Sequence, residues 1–327
     1  MLTVYTTTPD GRIETADGFP HNALIVLVAP TPEEIRAVAC AFRLDEAYLR
    51  DALDAEERPR VEKGETEDGR SLVALILGIP MENDAAEAAG RQLPYEAMPY
   101  RVMPFSLIHL KDHLIIVMPE EHPTLEAVLA GRFGPYATYM KTRITLLFFQ
   151  AVASAFLRTL DALRADIARL QRELKAAHRN RELYGLIHIN KSLVYFAAAL
   201  RGLRTVYQRL LRGGDMHLYA DDAQLLRDAL VDIEQALEVT EMRAESLSSL
   251  MDAYAAIIHN NVNAVLKILT TLTIVLTIPT MIASVFAMNV GLPFEEAPWM
   301  FGLLLSLMTL SGTSLVVYFY RKNFLRL

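Results

Sequence analysis

The chain has a single cysteine, Cys40, in 327 residues. One thiol excludes an intramolecular disulfide and a cysteine-built zinc site. Cys40 stands in the apolar stretch AVACAF, which predicts a place in a core. There is no GxxxxGK[ST] and no glycine-rich phosphate loop, so no nucleotide-driven energy coupling is expected. No nucleophile–base signature is found, and the chain is not read as an enzyme. The eight histidines are scattered. His109 and His113 are four apart, but in a strand-like run where that spacing makes no ligand pair. His178 and His188 fall in charged helical segments and are expected in solvent. The beginning of the chain lacks a basic segment followed by an apolar one, so no cleaved signal is expected. A net charge of −7 speaks against a nucleic-acid partner and gives a mild bias toward cations.

Charge itself is missing from two long stretches near the C-terminal end. Residues 268–294 carry none, Glu295 and Glu296 follow, and residues 297–320 again carry none. A helix rises about 1.5 Å per residue, so about 20 apolar residues cross a ~30 Å hydrocarbon core. Each stretch is long enough. The chain therefore reads as a membrane hairpin whose tip is Ala287-Met288-Asn289, following a larger water-soluble part. Lys267 precedes the first span, and Arg321, Lys322 and Arg326 follow the second, whereas the tip has two glutamates and no Lys or Arg. That asymmetry places both termini in the cytoplasm of a cell inner (plasma) membrane, with the tip outside. Trp299, Tyr318 and Tyr320 are interface anchors in this reading.

What the chain does have divides it further. Residues 1–135 read as an α/β cytoplasmic domain, with LTVYTT, ALIVLV, SLVALILGIP, FSLIHL and HLIIVM as strands. TPEEIRAVACAF reads as a helix with a threonine cap and acids in its first turn, and LDEAYLRDALDAEE as a second. ENDAAEAAGRQLPYEAM is a polar loop in this reading. Residues 136–215 hold two long antiparallel helices. A third helical segment starts near Asp221 and meets neither Pro nor Gly until Pro279. Residues 219–266 form its stalk, 267–288 the first span, 289–297 an external loop, 298–320 the second span and 321–327 a basic tail. A helix of that length cannot be satisfied inside one small globule. It implies packing on the preceding helices or on copies of itself.

Inside the first span the polar residues are not scattered. Thr270, Thr273, Thr277, Thr280 and Ser284 follow one another at steps of three and four, and Asn263 and Lys267 extend the row backward. At about 100° per residue, seven residues fall roughly 20° short of two turns, so the row drifts by only ~40°. Thr271 alone falls off it. Three readings are open. Hydroxyls bond back to their own helix, small residues mark a packing face, or the row lines a pore built by several copies. Such a lining carries no fixed charge. It cannot repay the dehydration of a hard dication and so suits a hydrated one. Pro279 is expected to bend the helix, or to free a carbonyl toward the lumen. Glu295 and Glu296 are outer-mouth acids that would concentrate cations.

The soluble α/β part, the stalk, the two C-terminal spans and the Met-Asn tip together resemble the CorA family of magnesium/divalent-cation transporters. The likeness is strongest from Leu225 onward, with NNVNAVLKILTTLTIVLTIPTMIASVFAMN at its centre; LDEAYLRDALDAEERPRVE and NKSLVYFAAALRGL are similar to stretches of bacterial members. The resemblance implies an α+β membrane protein that assembles as a homopentamer in the lipid bilayer. It implies passage of Mg²⁺, with Co²⁺ or Ni²⁺ as companions, and no organic cofactor. Carried over residue by residue, Asn289 offers its amide to the hydrated ion beside Met288. Thr280 is a polar pore position, Thr277 replaces a hydrophobic ring, and Asn263 is the innermost polar ring. Leu266 and Leu269 form a hydrophobic gate, and Asp228 belongs to a regulatory Mg²⁺ site. The family signature is Gly-Met-Asn, and here Ala287 replaces the glycine. An alanine forced to positive φ would be strained and would reshape the mouth. A zinc transporter of the same build is therefore an alternative, as is a membrane-anchored sensor or scaffold without flux.

Overall fold

The computed structural model describes residues 1–83, 98–177, 180–216, 218–288, 291 and 298–322. The chain divides into two compact units, Met1–Ser248 and Ser249–Leu327.

The first unit is built on seven strands: β1 (Leu2–Thr7), β2 (Ile13–Thr15), β3 (Leu24–Val28), β4 (Arg60–Glu65), β5 (Ser71–Glu82), β6 (Tyr100–His109) and β7 (Leu114–Met118). They form one sheet in the order β2-β1-β3-β7-β6-β5-β4. Every pairing is antiparallel except β3 with β7, which runs from Leu24 opposite Leu114 to Val28 opposite Met118. β3 and β7 read LIVLV and LIIVM without alternation because both sheet faces are covered. On one face Ile25, Leu27, Ile115 and Val117 pack with Ile35, Val38 and Ala39 of α1 (Pro32–Phe42). The other face carries α4 (Lys141–Ala177) and α5 (Asn180–Leu211).

Helix α1 starts where its sequence says it should. Thr31 Oγ1 accepts the Glu34 N–H at 3.2 Å, and the Glu34 carboxylate accepts the Thr31 N–H at 2.9 Å. The same carboxylate accepts the Leu2 N–H at 2.9 Å, which ties β1 to the helix. The Thr31 N–H in particular holds the Glu34 carboxyl below the usual carboxylate range.

Three expectations need correction. LDEAYLRDALDAEE is not one helix. It makes α2 (Ala47–Arg50) and a 3₁₀ turn (Asp51–Leu53), which bury Leu49 and Ala52, while Leu44 reaches the core ahead of them. Cys40 is exposed, since the buried stripe of α1 runs through Ile35, Val38 and Ala39 and passes it by. His188 is buried rather than in solvent, lying among the apolar positions Leu186 and Ile189 of α5. Asp222 is buried as well, 3.7 Å from Arg143 Nη1. Besides the three-residue β2, two elements had no signal in the periodicity. β4 is an edge strand reading RVEKGE with one buried residue, Val61, and such charged edges discourage pairing with other chains. The short α3 (Pro123–Leu129) is capped by His122, whose Nδ1 accepts the Thr124 N–H at 3.1 Å.

The third long helix, α6, runs from Ala220 to Phe286 and continues through Pro279, and α7 spans Met300–Arg321. Its first part belongs to the first unit. There Leu226, Ala229, Ile233, Ala236 and Thr240 are buried at steps of three and four, with Leu237 beside them. The polar loop expected over 82–98 lies largely outside the described residues, although its first residue, Glu82, ends β5, and His178 lies wholly outside them.

Candidate functional site

Within the second unit the end of α6 meets α7. A Cβ added at Gly312 would stand 3.8 Å from the Pro279 ring. Beyond Tyr254 the covered or half-covered residues of α6 are Ala264, Ile268, Thr271, Val275, Pro279 and Ile282. Those of α7 include Leu304, Met308, Ser311, Gly312 and Leu315. The other residues of these stretches, Met300 and Phe319 apart, are exposed to whatever surrounds the protein, and most of them are apolar.

The polar row lies elsewhere. Thr270, Thr273, Thr277, Thr280 and Ser284 are all exposed, as are Asn263, Leu266 and Leu269. At about 100° per residue these eight positions fall within an arc of roughly 120°. The covered positions centre roughly 180° away from them. The row is thus not the face by which α6 packs on α7. Thr271, the one hydroxyl off the row, is 2% exposed and sits on the covered side.

The hydroxyls also have a defined orientation. Thr273 Oγ1 donates to the Leu269 carbonyl at 2.9 Å, Thr277 to Thr273 at 2.7 Å and Thr280 to Leu276 at 2.7 Å. Their protons are thereby satisfied within the helix, and the oxygen lone pairs remain as acceptors facing outward. Such a surface welcomes cations and water hydrogens, not anions.

Pro279 occupies the covered side. The Val275 carbonyl, which loses its i+4 donor to the proline, is therefore on the side of α7 rather than on the hydroxyl face. Ala287 also departs from expectation. Its N–H continues the last helical turn to the Ala283 carbonyl at 3.0 Å. Among the described residues, positive φ outside glycine is confined to Asn22, Ala29 and Arg43. Alanine thus stands at position 287 without the strain of a positive φ. Met288 is described and exposed, whereas Asn289, Glu295 and Glu296 lie outside the described residues.

Asp228 lies in the first unit, on an exposed face of α6, where it accepts a hydrogen bond from Gln224 Nε2 at 2.8 Å. One turn on, Asp232 is half-buried. Burial and the neighbouring Asp228 push its carboxyl above the usual range. Among the described residues no three His, Cys, Asp or Glu side chains converge on one point. One copy of the chain therefore offers Asp228 at most part of a metal site. Sequence reasoning missed the burial of Thr271. Its one signal was its position off the row.

Comparison with known proteins places this geometry. A family model described as CorA-like Mg2+ transporter protein matches residues 24–321. The cobalt/magnesium transport protein CorA of Methanocaldococcus jannaschii is 24% identical over 306 residues, covering 90% of this chain and 88% of its own. The protein of the same name from Thermotoga maritima is 24% identical over 300 residues, covering 89% and 80%. The complete structure of the M. jannaschii CorA magnesium transporter superposes with a TM-score of 0.78 at 19% identity, covering 98% of both chains. At that identity the structural likeness speaks for the fold.

Proposed function

The chain belongs to the family of CorA-like Mg²⁺ transporter proteins, and we propose that it conducts hydrated divalent cations, Mg²⁺ first and Co²⁺ or Ni²⁺ as companions, through a pore built by several copies around the hydroxyl face of α6. The observation that carries this reading is the exposed row from Thr270 to Ser284, turned roughly 180° from the packing face. A row of outward acceptors has no purpose against lipid tails, but it does against water and cations. One α6–α7 pair cannot enclose a lumen, so the row must face an axis shared with other copies. Resemblance makes the assembly a homopentamer. Asn289 is the outer amide ring beside Met288 and Ala287, and Asn263 the inner one. Leu266 and Leu269 form a dewetted gate between that inner ring and the hydroxyls.

The lining is neutral, so the ion keeps its water. The membrane potential, at ~2.3 kcal/mol per charge per 100 mV and twice that for a dication, suffices to drive entry. Both termini are cytoplasmic in this arrangement, and Glu295 and Glu296 gather cations at the outer mouth. Asp228 completes a regulatory Mg²⁺ site with acids of another copy, so that internal Mg²⁺ limits its own entry. The names of the two curated relatives support the cargo.

The test is flux into liposomes holding the full chain, with a negative internal potential and Mg²⁺, Co²⁺, Ni²⁺ and Zn²⁺ offered singly and in competition. Mg²⁺ entry that falls about ten-fold or more in Asn289→Ala is the expected result. Zinc entry that Mg²⁺ does not compete with would move the assignment to a zinc transporter. No flux of any ion would leave the hairpin as an anchor.

A further inference from the structure

Away from the spans, the first unit holds a cleft of about 410 Å³ at one end of the sheet, walled by Phe42, Arg43, Asp68, Arg70, Lys111 and His113. We propose that this cleft binds a nucleotide-class ligand, a planar ring bearing phosphoryl groups, as a regulatory ligand rather than a fuel. Its volume lies within the ~300–1,000 Å³ of small-molecule sites, and is generous for a lone inorganic anion. Asp112 also lines it, so three fixed cations face two carboxylates.

One carboxylate is already spent. Asp68 accepts a hydrogen bond from Thr66 Oγ1 and pairs with the largely exposed Arg70 Nη2 at 2.9 Å, which draws Arg70 toward the wall. The Arg43 and Lys111 heads, by contrast, lie in the lining without a side-chain hydrogen bond of their own among the described residues. The Thr66 hydrogen bond leads the pull that lowers the Asp68 carboxyl, and the Arg43 charge only adds to it from a distance. Two unengaged cations beside a third that is already paired make an oxyanion cradle that needs no glycine-rich loop.

The opposite wall is aromatic. The Phe42 ring packs against His113 at 4.9 Å and 59° and against Phe19 at 5.1 Å and 67°, while all three remain partly exposed. His113 Nε2 lies 2.9 Å from the Pro20 carbonyl. A base edge or face fits such a wall.

The backbone supplies an independent argument. Arg43 ends α1 with φ 51° and ψ 46°, the left-handed cap conformation. Glycine takes that position at no steric cost, and arginine does not. Residues held in such conformations gather at functional sites. Here the Arg43 carbonyl also accepts the Glu67 N–H at 2.9 Å, which couples the helix end to the β4–β5 turn. A strained position thus aims an unengaged guanidinium into a ligand-sized cleft.

This inference is independent of the conduction pathway, and it is tested by binding rather than flux. The full chain in detergent, with EDTA present to remove divalent ions, is titrated with AMP, ADP, adenosine and inorganic phosphate while thermal unfolding is followed. AMP and ADP are expected to raise Tm, and adenosine or phosphate alone to bind at least about ten-fold more weakly. Arg43→Gly keeps the left-handed turn, so its ligand-free Tm is expected to equal or exceed that of the parent while nucleotide affinity falls about ten-fold or more. Lys111→Gln is expected to weaken binding in the same direction. No shift with AMP or ADP overturns the proposal, as does a shift retained in Arg43→Gly or one that phosphate alone reproduces.

Discussion

Among the described residues, four helices are long and apolar enough to cross a bilayer, and they divide into two kinds. In α4 and α5 the most apolar stretch is 61% and 50% buried within the protein, whereas in α6 and α7 it is 6% and 0%. The first pair surrenders its apolar surface to other side chains. Phe149 stacks on Tyr207 at 4.1 Å, the Tyr207 hydroxyl donates to the Phe149 carbonyl at 3.0 Å, and Phe156 meets Phe196 edge-on at 5.4 Å. The second pair has nowhere within its own chain to surrender it. Length and composition permit a span, but what decides is whether the apolar groups already have partners. The charges agree. α4 carries Arg164, Asp166 and Arg169 along its length, while 268–294 and 297–320 carry none.

The largest test of that difference places one lysine in each kind of helix. Leu307, midway along α7, is 49% exposed, and Val194 on α5 is 57% exposed. By exposure alone the two are equivalent. If α7 is surrounded by lipid, Leu307→Lys costs ~2.5–3.5 kcal/mol of insertion. It is then read as a fall in the fraction of chain that resists alkaline extraction. Val194→Lys, facing water, shifts stability by no more than about 0.5 kcal/mol. Equal effects at the two sites would erase the distinction.

Protons should sense the same boundary, because the two charge-free stretches contain no Asp, Glu, Lys, Arg or His. In the first unit, burial holds the His109 imidazole near a pKa of about 3, with Lys141 pushing the same way. His109 Nε2 lies 2.7 Å from Thr145 Oγ1. An imidazole in the unfolded chain titrates at ~6.5, so between there and about 3 the unfolded state holds a proton that the folded state refuses. This contribution is fully present above ~6.5 and lost at ~1.4 kcal/mol per unit as pH falls through that window. His109→Gln keeps a hydrogen-bonding group opposite Thr145 and removes the titration. Its stability is expected to decline less steeply by that amount, as followed by denaturant unfolding of the first unit's signal across the acid range. Superimposable slopes would show that the fold does not hold His109 neutral.

Much of this division can be read directly from the residues. Thr31 and Glu34 announce α1, LIVLV and LIIVM announce central strands, and an uncharged run of span length needs no structure to be noticed. The hydroxyl row is legible for the same reason, since helical geometry is periodic and the row repeats with it. What escapes is whatever depends on a partner distant in sequence. RVEKGE becomes a strand because β5 offers it a ladder. Asp222 is buried because α4 brings Arg143 to it. Cys40 sits among apolar neighbours in the chain, yet it falls one step past the stripe that α1 turns inward. The cleft at Arg43 draws on turns that are far apart along the chain, so no local pattern announces it.

The finest contrast lies between two threonines on one helix. Thr271 and Thr277 share a side chain and an apolar neighbourhood, but they sit on faces about 120° apart. Thr271 Oγ1 is buried and has no hydrogen-bond partner among the described residues, whereas Thr277 Oγ1 is bonded to the Thr273 carbonyl and its residue is exposed. A buried hydroxyl without a partner costs ~1–3 kcal/mol, and valine has nearly the same shape without the polar atom. Thr271→Val is therefore expected to stabilise the hairpin by about 1 kcal/mol and raise Tm in detergent by a few degrees, with ion flux unchanged. Thr277→Val is expected to do the reverse, leaving Tm in place and lowering flux, because the group it removes is an outward acceptor. Should both variants alter flux, or both alter only Tm, the two sides of α6 would not differ in function, and the hydroxyl row would be no more than helix-bonded threonine.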